Sequence, residues 1–213
     1  MIERLFELSQ RFIDNYNREY LRYFLKKYPL ENRFSIIIGP KGVGKTTAII
    51  QYLLKFTGSD PFSRKALYVQ ADHFLVVQHS LYEIADQFVK EGGELICFDE
   101  IHKYPHWSRD LKSVNDTFPE LKIIASGSSA MEIHRGSHDL SRRAIVYPMH
   151  GMSFREFLEL TFHIELESYE LTEILAQHQT IARTIRESVE KKDAKILPLF
   201  KQFLSCGCYP YFN

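Results

Sequence analysis

Apolar residues recur at two periods along this chain, and each change of period marks an element. Residues 2–28 carry Leu5, Leu8, Phe12, Tyr16, Tyr20, Tyr23 and Phe24. That helical spacing predicts one or two amphipathic helices, ended by Pro29 and the polar Glu31-Asn32-Arg33. Phe34-Ser35-Ile36-Ile37-Ile38 is a short β-branched run stopped by Gly39, and it predicts a buried strand. Residues 46–56 return to helical character, with a close near Gly58.

The alternation continues. Ala66-Leu67-Tyr68-Val69 predicts a second strand. Ser80-x-x-Glu83 is a capping box, and Leu81, Ile84, Ala85, Phe88 and Val89 behind it line one helical face, closed by Gly92-Gly93. Leu95-Ile96-Cys97-Phe98 predicts a third strand that runs directly into Asp99-Glu100. Trp107, Leu111, Val114 and Phe118 form the stripe of the next helix. Leu121-Lys122-Ile123-Ile124-Ala125 predicts a fourth strand, and Ala144-Ile145-Val146-Tyr147 a fifth.

Strands alternating with helices imply βαβ units and a parallel sheet, and near-continuous apolar strands imply a sheet covered on both faces. The expected fold is α/β, a three-layer sandwich with a mostly parallel five-stranded sheet. Ser153-x-x-Glu156 caps a further helix, and residues 165–205 read as wholly helical. The organisation expected is N-terminal helices over 1–28, a core over 29–155 and a helical annex over 156–213.

Composition changes little. The 213 residues balance 27 basic against 27 acidic side chains, so global charge selects neither nucleic acid nor an anionic membrane. No run approaches the about 20 apolar residues of a membrane span. The charged N-terminus lacks the apolar stretch of a signal peptide. Three cysteines without framework spacing suit a reducing, cytoplasmic location.

The chemistry lies between the elements. Gly39-Pro40-Lys41-Gly42-Val43-Gly44-Lys45-Thr46, with Thr47 behind it, satisfies G-x-x-x-x-G-K-[ST] in full. A strand precedes it and a helix follows, which is the context the pattern requires. The glycines let the backbone wrap around phosphate, and successive N–H groups and the helix N-terminus favour anionic oxygens. Lys45 is expected to reach the β- and γ-phosphates, and the Thr46 hydroxyl to ligate Mg²⁺. The ligand implied is a purine nucleoside triphosphate, ATP with Mg²⁺.

Asp99-Glu100 stands at the C-terminal end of a buried strand, the rim where open α/β sheets bind ligands. Asp99 is expected to hold the metal's hydration shell and Glu100 to polarise an attacking water. Ser126-Gly127-Ser128-Ser129 ends the next strand. Ser126, or alternatively Ser128, is a candidate for contact with that water or the γ-phosphate, and plain turn chemistry accounts for the segment equally well. Arg142-Arg143 precedes the fifth strand, either to stabilise transition-state charge or to anchor a loop.

In order, these segments resemble a group of prokaryotic AAA-type ATPases in which a P-loop domain precedes a poorly characterised, nuclease-like C-terminal domain. The resemblance rests on 39–46 and on Phe98-Asp99-Glu100-Ile101-His102-Lys103-Tyr104-Pro105-His106-Trp107 with Leu111-Lys112 after it. Ser126-Gly127-Ser128-Ser129, Arg143 and Ser153-Phe154-Arg155-Glu156-Phe157 complete it. It spans roughly residues 30–160 and implies ATP hydrolysis, with Lys45, Glu100, Ser126 and Arg143 catalytic and Arg143 as the sensor or finger arginine. Arg142 stands where the group has Gly, and His102 where it has Gln. The Cys206-Gly207-Cys208-Tyr209-Pro210 segment is similar to one that leads into the group's C-terminal domain, so an ATPase part lacking its effector half is expected. The partners implied are the nucleotide, other copies or an effector domain, and DNA only indirectly; no membrane is implied.

Two histidine pairs, His102/His106 and His134/His138, have i, i+4 spacing. Pro105, and Gly136 with Ser137, interrupt the helices that would turn each pair into a zinc site.

Overall fold

The computed structural model describes residues 1–128, 140 and 142–210. The chain divides into two compact units, Met1–His150 and Gly151–Asn213. The first contains α1 (Ile2–Tyr16), α2 (Tyr23–Lys27), β1 (Phe34–Ile38), α3 (Lys45–Phe56), β2 (Ala66–Gln70) and α4 (Leu81–Lys90). After these come β3 (Leu95–Asp99), a 3-10 turn at Ile101–Lys103, α5 (Trp107–Thr117), β4 (Lys122–Gly127) and β5 (Ile145–Pro148). The N-terminal helices, set apart as 1–28 by the periodicity, belong to this unit.

The five strands form one sheet in the order β2-β3-β4-β1-β5, parallel throughout. The α/β fold expected from the alternation is the one observed. Leu67, Val69, Ile96, Phe98, Ile36, Ile123 and Ala125 share one face and pack with Leu81, Ile84 and Phe88 of α4 and Leu111 and Val114 of α5. The opposite parity, Ile37, Tyr68, Cys97 and Ile124, is buried as well. That is the face covered by α3, which lies across β2, β3 and β4. Covering both faces explains why these strands read as unbroken apolar runs.

Strand β2 is at the sheet edge, and α1 lies along it. The outward N–H of Tyr68 donates to Ser9 Oγ at 3.1 Å, and the Phe12 ring sits 5.0 Å from the Tyr68 ring. A helix side chain thus takes up a ladder donor that no strand pairs.

Two details differ from the periodicity. Strand β4 continues to Gly127, because Ile37 and Ile38 of β1 pair with Ser126 and Gly127; pairing overrides the turn preference of Ser and Gly. Ser126 is therefore a buried strand residue and not part of a turn. In the second unit, α6 (Phe154–Phe162), α7 (Leu171–Glu190) and α8 (Ile196–Cys206) are separate helices, so 165–205 is not wholly helical. Residues 163–170 break the run after His163 takes a left-handed backbone, and α7 is kinked at Gln177. Phe157, Leu158, Ile164, Val189 and Leu199 make this unit's own small core. Among the described residues, no helix is long and apolar enough to cross a membrane.

Candidate functional site

Three adjacent strands, β1, β3 and β4, deliver their C-terminal ends to one place. The loop after β1 begins at Gly39, where there is no room for a side chain: a Cβ would stand 2.2 Å from the carbonyl oxygen of Met149. Gly44 caps α3 with φ 99°, a left-handed backbone that glycine adopts without strain. From below, the buried Arg22 guanidinium holds the loop, donating to Val43 O at 2.6 Å and His150 O at 3.1 Å. Among the described residues, the N–H groups of Gly42, Gly44, Lys45, Thr46 and Thr47 donate to no other backbone carbonyl. Five donors at a loop and a helix start form the cradle that anionic oxygens require. Gly39→Ala is expected to lower the melting temperature by an amount equivalent to about 1–3 kcal/mol, the usual cost of overpacking, and to weaken nucleotide binding with it. Thermal unfolding and a nucleotide titration check both; a wild-type melting curve would contradict the close approach.

Lys45 is only 4% exposed. Its ammonium donates to Gly39 O at 2.9 Å, Pro40 O at 3.1 Å and Ser128 Oγ at 3.3 Å. Burial pushes it below the ordinary lysine range, while Glu100 and Asp99 pull it back up. The loop thus holds a cation whose lost hydration is incompletely replaced, which favours an incoming anion.

Asp99, at the end of β3, is 1% exposed and accepts four hydrogen bonds. Thr46 Oγ1 donates to Oδ2 at 2.6 Å, and the Tyr68 hydroxyl to the same oxygen at 2.7 Å. The Glu100 N–H donates to Oδ1 at 3.0 Å, and the Ser126 hydroxyl donates to that oxygen too. The parity of the strands explains the cluster: Tyr68, Asp99 and Ser126 all point to the α3 face. Burial, then the charge and hydrogen bond of Asp99, hold the Tyr68 phenol well above its usual range, so it remains a donor.

Glu100 adopts a left-handed backbone, φ 56° and ψ 36°. A non-glycine residue held there carries strain of a kind concentrated at functional sites. Its carboxylate accepts from Ser128 Oγ at 3.1 Å and pairs with Lys103 Nζ at 3.3 Å. Lys103 also pairs with Asp72 at 2.7 Å, which raises the lysine above its ordinary range despite opposing burial. His102 Nδ1 accepts from the Ser128 N–H at 3.4 Å, and its Nε2 lies 3.7 Å from Glu100.

The structure therefore brings together Lys45, Thr46, Asp99, Glu100, Ser126 and Ser128. The two serines divide differently from the sequence-based preference. Ser126 is 0% exposed and spent on Asp99, while Ser128 stands between Lys45 and Glu100. Arg143 is not brought to this cluster. Its guanidinium donates to Asp116 near the end of α5, at 2.7 Å from Nε and 2.9 Å from Nη2. It precedes Ile145, the β5 residue that pairs with Ser35, and Ser35 itself is four residues, about 13 Å of strand, before Gly39.

Arg22, Tyr68 and the Lys103–Asp72 pair escaped the sequence reading. Only Tyr68 left a signal, a lone hydroxyl inside an apolar strand. His106 caps α5 with a left-handed backbone. Ser129, His134 and His138 lie outside the described residues. Cys97, Cys206 and Cys208 are free thiols.

Comparison with known proteins places this geometry. A family model described as an AAA domain matches residues 31–158. An uncharacterised protein of Methanocaldococcus jannaschii is 32% identical over 172 residues, which cover 73% of this chain and 36% of the relative. The chain thus spans about a third of that relative's length. Similar solved structures include the Walker-type ATPase of Pyrococcus abyssi, with 14% identity, a TM-score of 0.46, and 89% of this chain against 71% of that one. C. elegans PCH-2 is 14% identical with a TM-score of 0.45, over 85% of this chain and 47% of the other. The ADP complex of S. cerevisiae Hsp104 is 14% identical with a TM-score of 0.48, over 75% and 27%. The matched segment runs from before β1 into α6 and holds the loop, the acidic strand end and Ser128, so the chain belongs to the AAA family of P-loop ATPases.

Proposed function

We propose that this chain binds ATP with Mg²⁺ on the loop after β1 and hydrolyses it. The observation that carries the reading is the 2.6 Å hydrogen bond from Thr46 to Asp99, which joins the phosphate loop to the acidic strand end. A hydroxyl and a carboxylate side by side are the hard oxygen donors that Mg²⁺ prefers. Thr46 would hold the ion directly and Asp99 through its water shell. The bound ion supplies charge neutralisation at the phosphate oxygens.

The remaining roles fall to the chain's own groups. The free N–H groups of the loop bind and orient the phosphates. Lys45 turns its ammonium from two backbone carbonyls to the negative charge that develops on them. Glu100 takes up the proton of the attacking water, and Ser128, rather than Ser126, is placed to steady that water. Arg143 acts, if at the nucleotide at all, on one held by another copy of the chain, given its distance from its own loop. The test is phosphate release under saturating ATP, with and without EDTA. Tight ATP binding without release in Mg²⁺ would overturn hydrolysis.

A second reading has its own observation. Lys103 and Ser128 both occupy Glu100, which leaves less of its carboxylate open to a water. On this reading the chain is an ATP-dependent switch with little turnover, acting through an effector domain or a DNA-linked partner. Lys103→Ala then raises steady-state turnover by freeing Glu100; unchanged or lower turnover removes the reading.

A further inference from the structure

We infer that Tyr68 is a positioning residue for the metal site: its hydroxyl fixes the Asp99 carboxylate in the orientation that holds Mg²⁺, and α1 fixes Tyr68. This rests on the proposed role of Asp99 in holding the metal.

The argument begins with the carboxylate. Asp99 is buried, and each of its oxygens already accepts two hydrogen bonds, from Tyr68 and Thr46 on Oδ2 and from Ser126 and the Glu100 N–H on Oδ1. Four donors leave the group one orientation. One of the four changes when the metal is held, because Thr46 turns its oxygen to the ion. The Glu100 N–H is the backbone of the next residue in the chain. Tyr68 and Ser126 are the two side-chain donors that stay, one from each strand flanking β3. Tyr68 brings the rigid ring and therefore the reach: it spans from β2 across to Oδ2 without a rotatable terminal carbon chain.

The ring is itself held. The Tyr68 N–H donates to Ser9 Oγ, and the Phe12 ring stands 5.0 Å from it, both on α1. The contacts run in one line from the N-terminal helix to the edge strand to the metal carboxylate. The outer partners of metal-holding groups set their orientation, and their removal usually lowers metal affinity about 10–100-fold. A phenol serving only to fill the core would leave metal affinity unchanged when replaced by Phe, because the ring and its packing remain.

The test is Tyr68→Phe in the full chain, loaded with a stoichiometric non-hydrolysable ATP analogue. Free Mn²⁺ is titrated and followed by its electron paramagnetic resonance signal. The expected result is a half-saturating Mn²⁺ concentration about 10–100-fold above wild type, with analogue affinity in EDTA unchanged. A midpoint within twofold of wild type overturns the inference. Should Tyr68→Phe not fold, Ser126→Ala removes the second lasting donor and is expected to raise the midpoint in the same way; no rise overturns the inference equally. Asp99→Ala separates the two levels. If it leaves the midpoint unchanged, the role of Asp99 falls and the inference with it. If it raises the midpoint while Tyr68→Phe does not, the inference alone falls.

Discussion

Lys45→Ala is expected to weaken ATP binding by roughly 10–100-fold, the loss of a hydrogen bond to a charged group, and to leave phosphate release undetectable. The ammonium is the one cation of the phosphate loop that the fold buries. It braces the loop through Gly39 O and Pro40 O and reaches Ser128 just after β4. Its hydration has been removed, and the nearby carboxylates restore only part of its ordinary basicity. Phosphate oxygens would bring the negative charge that its three neutral acceptors lack, and the alanine variant has nothing to offer in its place. A titration with a fluorescent ATP analogue reads the first effect, and a phosphate-release assay the second. The melting temperature of the ligand-free variant serves as the control, because the two carbonyls lose their donor. Affinity and turnover both at wild-type level would refute the assignment of the loop.

Glu100→Gln is expected to separate the two halves of the proposed activity. The amide keeps the shape of the side chain, and its oxygen can accept from Lys103 while its NH2 donates to Ser128 Oγ, so ATP affinity should match wild type. It cannot take a proton from water, and general-base catalysis contributes about 10²–10⁴-fold. Turnover should fall by that factor. The strained backbone of Glu100 belongs to the same expectation, since the left-handed conformation aims the carboxylate away from the strand and towards Ser128. Unchanged hydrolysis in the glutamine variant would move the base to another residue.

Much of this site was legible because it is local. The phosphate loop is a contiguous pattern, and its strand and helix flank it in sequence. Asp99-Glu100 ends an apolar run, so its place on the rim followed from strand direction alone. The capping boxes at Ser80/Glu83 and Ser153/Glu156 involve residues three apart, and both form as the pattern implies. What escaped depends on register between strands. Tyr68 reaches Asp99 only because β2 lies beside β3 with Gln70 opposite Asp99, and no period along one strand contains that fact. Ser126 looked like a turn residue because its own preference is for turns; β1 supplied the partner that drew it into the sheet. Arg143 stood beside a strand in the sequence, but which end of the sheet that strand entered was decided by its parallel pairing with β1. The break at 163–170 has a similar origin, a left-handed His163 that no helical period announces.

The docking of α1 on β2 bears on how this protein can be handled. The segment from 31 to 158 holds the loop, the acidic pair and Ser128. It lacks the helix whose serine occupies the outward N–H of Tyr68. Cut there, the chain would present Ala66-Leu67-Tyr68-Val69 as a bare, uncharged sheet edge, the kind of surface on which strands from other molecules add. Solubility is then a second thing that the first sixteen residues protect, beside the placement of Tyr68.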